Sequence, residues 1–392
     1  MIDYEIINTL ADDIEEWAVV LRRHFHRWPE LGNDEYVTSR KVIEELESIG
    51  IETSRVLETG VVGILKGEKP GKVIALRADM DGLPIEETTD LPFTSERRGL
   101  MHACGHDVHM AVLLGTARLL AEIKENIHGT IKFIFQPAEE TSGGAERMIE
   151  KGCLDNPKVD CILGIHVKPD LPAGTIGIKY GKVHAASDTF KITITGSQSH
   201  GAYPDRGVDA ILAAAQVINN GQSIISRNIS PLNSAVITFG KIHGGAAMNI
   251  IADKVTIEGT IRALDMSARE YLRERLWQIT NHTAKSLNAS AKIEFTDGYH
   301  ALINDNLVVD LIKEAVVYGS TVDKVIELQN PSMGVEDFAF FLEKVPGAFF
   351  FLGSGYKNKD NPGIHSGNFE VDESCIKTGI LACSLSALQL LE

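Results

Sequence analysis

An α/β fold interrupted by a second, α+β module is what this sequence predicts, and three observations carry the prediction. At 392 residues the chain is longer than one hydrophobic core usually organises. From Val61 onward, short apolar runs alternate with helical stretches, the texture of buried strands in a mostly parallel sheet. Between Ser187 and Phe295 the rhythm changes to half-exposed strands and long helices in the order β-α-β-β-α-β, that of a ferredoxin-like module.

Taken in order, Tyr4 to Gly50 reads as mostly helical. Ile14, Trp17, Ala18 and Leu21 fall at helical spacing, and a second amphipathic run from Ser39 to Ile49 stops at Gly50. Between them Arg22 to Gly32 reads as a basic helix end closed by Pro29, with His24 and His26 as its flank rather than as ligands. Val73 to Ala78, Ile131 to Phe135, Val159 to Ile165 and Ala348 to Leu352 read as buried strands. Helices at Val108 to Ile127 and Gly144 to Lys151 lie between them. In the inserted segment Phe190, Ile192 and Ile194 alternate as a strand, and Asp209 to Ile224 is an Ala-rich helix. Strands near Ala235 to Ile242 and Lys254 to Arg262, a helix from Ser267 to Leu287 and a strand at Lys292 to Phe295 complete it.

Composition narrows the class. The chain is 44% hydrophobic and 23% charged, as ordinary globular proteins are. A net charge of -16 without a basic run argues against nucleic acid or an anionic membrane as partner. Met1 to Trp17 is acidic and lacks the basic and apolar regions of a signal peptide, and no uncharged run is long enough to span a bilayer. Five cysteines, odd in number and without C-x-x-C spacing, suit a reducing compartment, so the expected location is cytoplasmic.

Ligands of open α/β sheets collect beyond the carboxyl ends of the strands. Asp79 and Asp81 follow the first predicted strand, and Glu139 and Glu140 follow the second. The third leads into His166, and His365 comes after the last, past a Gly/Asn/Pro loop. The stretch His102 to His109 adds Cys104 and His106, residue types suited to a borderline-soft metal. In an extended segment their i, i+2 spacing would point both the same way.

Cys104, His106, Glu140, His166 and His365 therefore form a candidate paired-metal site, in which a thiolate can bridge two ions. Ions about 3.5–4 Å apart would lower the pKa of a bound water towards ~7. Of Glu139 and Glu140, one could ligate while the other acts as general base and acid; spacing leaves open which does which. Asp79 and Asp81 are either turn residues before Gly82 or acceptors for the free N–H of a ligating imidazole. His200, in Ser199-His200-Gly201-Ala202-Tyr203-Pro204, sits on an exposed turn from which it could stabilise an oxyanion. Asn249 and Arg262 offer an amide and a guanidinium for a substrate carboxylate.

Seven segments carry a family resemblance. They are Met101 to Asp107, Gln136 to Glu140, Gly164-Ile165-His166, Ser199 to Pro204, Met248 to Ile251, Gly334 to Phe338 and His365-Ser366-Gly367. Together they resemble the M20 peptidase/amidohydrolase family, in its cysteine-containing branch of hippurate hydrolases, auxin-conjugate hydrolases, N-acetyl-diaminopimelate deacetylases and other aminoacylases. The resemblance spans nearly the whole chain. It implies a dinuclear-metal catalytic α/β domain, residues 1–186 and 298–392, with an inserted lid and dimerisation domain, residues 187–297.

Carried over, Cys104, His106, Glu140, His166 and His365 resemble the ligands of two divalent metals. Manganese or zinc leads, with cobalt and nickel open. Glu139 resembles the general base and acid, Asp81 the orienting aspartate and His200 the lid histidine, while Asn249 and Arg262 fall at substrate-carboxylate positions. Ala252 departs from the lid motif, which usually has proline there. The implied reaction cleaves N-acyl-L-amino acids, acetyl or benzoyl, to the free amino acid and a carboxylic acid. Alternatives are an N-acetyl-diaminopimelate deacetylase specifically, a dipeptidase, a thiol hydrolase using Cys104, or a non-catalytic metal-binding protein. A homodimer or homotetramer through the inserted domain is the implied assembly.

Overall fold

The computed structural model describes residues 4–322 and 324–392. Of the acidic N-terminal segment read above, Met1, Ile2 and Asp3 lie outside the described residues. The chain forms two compact units, Met1–Val183 with Ile303–Asn330 and Asp337–Glu392, and His184–Leu302 with Pro331–Glu336.

In chain order the first unit supplies helices α1 (Tyr4–Arg27) and α2 (Tyr36–Ser48), then strands β1 (Glu52–Val56), β2 (Gly60–Lys66) and β3 (Lys69–Asp79). Helix α3 (His106–Glu122), strand β4 (His128–Gln136), helix α4 (Ala145–Glu150) and strands β5 (Cys161–Pro172) and β6 (Thr175–Ile178) follow. The second unit adds β7 (Ala186–Thr195), α5 (Ala210–Ser223), β8 (Ala235–Gly244), β9 (Lys254–Ala263), α6 (Met266–Ser286) and β10 (Ser290–Asp297). The chain then returns to the first unit with α7 (Asn306–Gly319), β11 (Lys324–Glu327), α8 (Ala339–Leu342), β12 (Gly347–Gly355) and α9 (Cys375–Leu391).

Among the described residues the first unit's sheet has eight strands in the order β1-β2-β4-β3-β5-β12-β6-β11. Its centre, β4-β3-β5-β12, is parallel. Such strands are buried on both faces, which is why Val73 to Ala78 and Ile131 to Phe135 are apolar apart from Arg77 and Lys132, two buried cations that are hydrogen-bonded within the fold. Helix α1 buries Ile7, Ala11, Ile14, Ala18, Leu21 and Phe25, one stripe at helical spacing. Helices α3 and α9 are buried almost all round, so they lie in the core.

Register brings the functional ends together. Asp79 pairs with Gln136, and Arg77 lies between Ile134 and Gly164. His166 pairs with Phe351 on β12. The carboxyl ends of β3 and β4 therefore finish level, with His166 two residues beyond the Arg77 row on β5.

In the second unit the four-stranded antiparallel sheet runs β8-β9-β7-β10, the ferredoxin-like order. Ile257, Ile192 and Ile293 share one row across it. Ala213, Ala214 and Val217 of α5 and Leu272 and Leu276 of α6 are buried in the same core as Ile192 and Ile257. Among the described residues no helix is long and apolar enough to cross a membrane.

Candidate metal centre

Cys104 and His106 do not lie on an extended segment, as their spacing suggested. His106 is the first residue of α3, Cys104 precedes it in a turn, and Gly105 between them has φ +86°. Only glycine takes that backbone cheaply, and a Cβ here would lie 2.5 Å from Val167 Cγ2. We expect Gly105→Ala to cost about 1–3 kcal/mol of stability, a strained backbone added to an overpacked contact. Chemical denaturation measures this, and an unchanged midpoint would contradict it.

The five predicted ligands come together within the first unit. Ligand atoms of Cys104, His106 and His166 lie within 4.8 Å of one another, and so do those of Cys104, Glu140 and His365. Cys104 is common to both sets. Its Sγ is 3.4 Å from His166 Nε2, and His365 Nε2 is 3.0 Å from Glu140 Oε1. Ligand atoms of His106, Glu139 and Glu140 also fall within 4.8 Å of one another, so both paired glutamates reach the neighbourhood of His106.

Two carboxylates that do not join either set hold the imidazoles in place. His109 Nδ1–H donates to Asp79 Oδ1 at 2.6 Å, and its Nε2 accepts the Val167 N–H at 2.9 Å. This pins β5 beside His166, whose own Nδ1–H donates to the Val167 carbonyl at 2.8 Å and leaves Nε2 towards Cys104. Asp79 also takes Arg77 Nη1 at 2.6 Å. Arg77 in turn reaches Gln136 Oε1 at 2.8 Å and Asp337 Oδ1 at 3.0 Å. Asp81 accepts the backbone N–H groups of Glu139 and Glu140 at 3.1 and 2.9 Å, and its Oδ1 is 3.3 Å from His106 Nδ1.

Electrostatics at His106 fit a cation. Neither of its ring nitrogens makes a well-aligned hydrogen bond, although the residue is fully buried. An orphaned buried nitrogen is costly unless something else takes its lone pair. Burial opposes the imidazolium, yet Asp79, Asp81 and Glu140 outweigh it and push His106 up to about 10. The carboxylates around the ring thus favour a positive charge at this position. Burial, reinforced by Glu140, Glu139 and Asp79, holds the Cys104 thiol well above its ordinary range. Without a cation that thiol is no thiolate nucleophile.

The donor set, one buried sulfur grouped with two imidazoles and again with a carboxylate and a further imidazole, fits a pair of divalent transition metals. Asp81 supports that set from behind. Asp81→Asn should lower manganese affinity about 10–100-fold, the usual worth of a carboxylate standing behind a metal ligand. Calorimetry reads this, and unchanged affinity would remove Asp81 from the support of His106.

The remaining predicted residues belong to the second unit. His200 and Asn249 are neighbours there. Ile250 pairs with His200, and the Gly201 N–H donates to the Asn249 carbonyl at 2.7 Å. Both side chains are exposed, and His200 Nδ1 accepts the Ala202 N–H at 3.0 Å. Arg262 is on β9, half-buried, with Nη1 donating to the Ile261 carbonyl at 3.0 Å.

Sequence reasoning gave no role to His109 or Asp107 and read His26 only as the flank of a helix end. His109 lies one helical turn after His106 on α3, a spacing that was there to read. Asp107 is ion-paired with Arg22, whose Nε lies 2.8 Å away, and accepts from His26 Nδ1 at 2.8 Å, while His26 Nε2 faces Glu87 Oε1 at 3.2 Å. That buried chain ties α1 to the start of α3, and no local signal announces a contact 81 residues long.

Comparison with known proteins places this geometry. Residues 75–387 match the profile of the peptidase family M20/M25/M40. An N-acetyl-L-cysteine deacetylase of Bacillus subtilis is 41% identical over 97% of this chain and 89% of its own length. Thermostable carboxypeptidase 1 of Saccharolobus solfataricus is 40% identical over 98% of this chain and 99% of its own. A solved structure from Bacillus subtilis, described as a dinuclear metal-binding peptidase of the M20 family, superposes with a TM-score of 0.86. It is 35% identical and covers 97% of this chain and 99% of that one. With the two donor sets sharing a cysteine and the profile spanning most of its length, this chain belongs to the peptidase family M20/M25/M40.

Proposed function

We propose that the chain is a metal-dependent amidohydrolase that cleaves the amide bond of N-acyl-L-amino acids to the free amino acid and a carboxylic acid. The observation that carries this is Cys104 shared by two donor sets, with Glu139 grouped with His106 and Glu140. We assign Cys104, His106, Glu140, His166 and His365 as ligands of two divalent cations, manganese or zinc. When bound, such a pair supplies Lewis acidity for the amide carbonyl and for the attacking water.

The chain's own groups do the rest. Glu139, buried at the turn after β4, accepts the proton of the attacking water and returns it to the amide nitrogen, without which the amine is a poor leaving group. Asp81 fixes the backbone that carries Glu139, and its carboxylate faces Nδ1 of His106 at 3.3 Å. Of the second unit's residues we assign His200 to the carbonyl oxygen of the scissile amide, and Asn249 and Arg262 to the substrate carboxylate. The raised thiol of Cys104 speaks against a cysteine nucleophile.

A deacetylase of an N-acetyl-amino acid among the relatives favours small acyl groups on an amino-acid nitrogen. The cysteines, free and buried, support a reducing, cytoplasmic setting. We assign pairing of subunits, as homodimer or homotetramer, to the second unit, whose edge strand β8 leaves Val236 and Ile242 exposed. The test is release of amine from N-acetyl- and N-benzoyl-amino acids with added manganese, followed by EDTA. Turnover that EDTA abolishes is expected. Silence across the panel with metal bound would overturn the reading in favour of a binding protein.

A further inference from the structure

The loop between α1 and α2 has no part in the chemistry above, yet it buries two acids, Glu30 and Glu35. Glu30 caps α2, its Oε2 accepting the N–H groups of Val37 and Thr38 at 2.9 and 2.8 Å. Glu35 occupies the N-cap position of that helix and makes no capping bond to it. Its carboxylate turns elsewhere. Oε1 accepts the Ala138 N–H and Oε2 the Thr59 hydroxyl, both at 2.8 Å.

Ala138 immediately precedes Glu139 and holds φ +58°, a left-handed backbone that an alanine adopts at a cost of roughly 1–2 kcal/mol. The loop lies flush beneath this turn. A Cβ at Gly32 would meet Thr141 Oγ1 at 2.4 Å and Ala138 Cα at 2.8 Å. The N–H groups of residues 138, 139 and 140 thus all go to buried carboxylates, the first to Glu35 and the others to Asp81. Burial pushes the Glu35 carboxyl up to about 7, so an acid is kept there against its own desolvation.

We propose that Glu35 is a positioning residue for Glu139: by anchoring the Ala138 N–H in its left-handed turn, it aims the Glu139 carboxylate at the reacting atoms. This rests on the reading of Glu139 as general base and acid. A misplacement of ~1 Å at such a group can cost ~10²-fold in rate.

The experiment uses the full chain with saturating manganese and an N-acetyl-amino acid that the wild type hydrolyses. Glu35→Leu should lower kcat at least about tenfold, leaving KM within about threefold and bound manganese unchanged. Glu35→Gln keeps an acceptor for the Ala138 N–H and should stay within about threefold of wild type, a rescue that bulk destabilisation would not give. Should Glu35→Leu fail to fold, Thr59→Val and Gly32→Ala disturb the same turn from its anchor and its floor. Each should lower kcat severalfold with KM unmoved. Combined with Glu139→Ala, Glu35→Leu should add less than about threefold, since its effect runs through Glu139.

Wild-type kcat in folded, metal-loaded Glu35→Leu would overturn the assignment. So would a tenfold loss that persists on top of Glu139→Ala, or a loss traced to released manganese. If Glu139→Ala itself turns over normally, the base reading falls first and this one with it. If Glu139→Ala is inactive and Glu35→Leu is normal, only the role of Glu35 falls.

Discussion

Glu139→Ala is expected to keep its manganese and lose at least about two orders of magnitude in turnover, the usual worth of a positioned general base and acid. Metal stays because each donor set, Cys104 with His106 and His166, and Cys104 with Glu140 and His365, is complete without Glu139. Turnover falls because both proton transfers lose their carrier. The Glu139 backbone is held by Asp81 and so survives the change. Metal analysis alongside steady-state kinetics separates the two effects. Near-normal kcat in a metal-replete variant would take Glu139 out of the mechanism.

Cys104→Ala should do more damage still, because it deletes the one atom that both donor sets share. Loss of a mere supporting hydrogen bond costs about 10–100-fold in metal affinity, and loss of a shared ligand should exceed that. Bound manganese should drop below two per chain, and hydrolysis should fall with it. The fold should survive, since Cys104 lies in a turn rather than in a strand and a smaller side chain there removes one buried sulfur. A cysteine nucleophile makes a different prediction, namely lost activity with metal content intact. That outcome would reinstate the thiol mechanism.

The parallel core of the sheet was legible because buried strands write themselves as short, mostly apolar runs; Val73 to Ala78 and Ile131 to Phe135 carry one cation each, Arg77 and Lys132, and are too short for an ordinary helix. The β-α-β-β-α-β order was legible for a related reason, the alternation of Phe190, Ile192 and Ile194 on a strand with one face in the core. Strands β1, β2, β6 and β11 passed unread. β6 and β11 are only four residues long and β1 is half-exposed at the sheet edge, so these three carry no strong pattern; β2, interrupted by Gly63, was noted only as a change of texture at Val61.

At the centre, residue types were readable and local geometry was not. Cys104 and His106 were found from their spacing, but an extended segment was assumed where a left-handed glycine makes a turn, and one glycine in a sequence does not declare its φ. His166 was placed after its strand, whereas β5 runs on to Pro172 and carries it within. The supports stayed hidden for a further reason. Glu35 reaches Ala138 across 103 residues and His26 reaches Asp107 across 81, and side-chain contacts of that range leave no periodicity behind.

That Cys104, His106, Glu140, His166 and His365 together hold two cations is tested most directly by anomalous diffraction from crystals of the manganese-loaded protein. Two anomalous peaks about 3.5–4 Å apart are expected, flanking Cys104 Sγ, one on the side of His106 and His166 and one on the side of Glu140 and His365. Manganese located elsewhere, with these five side chains uncoordinated in a protein that still hydrolyses its substrate, would contradict it.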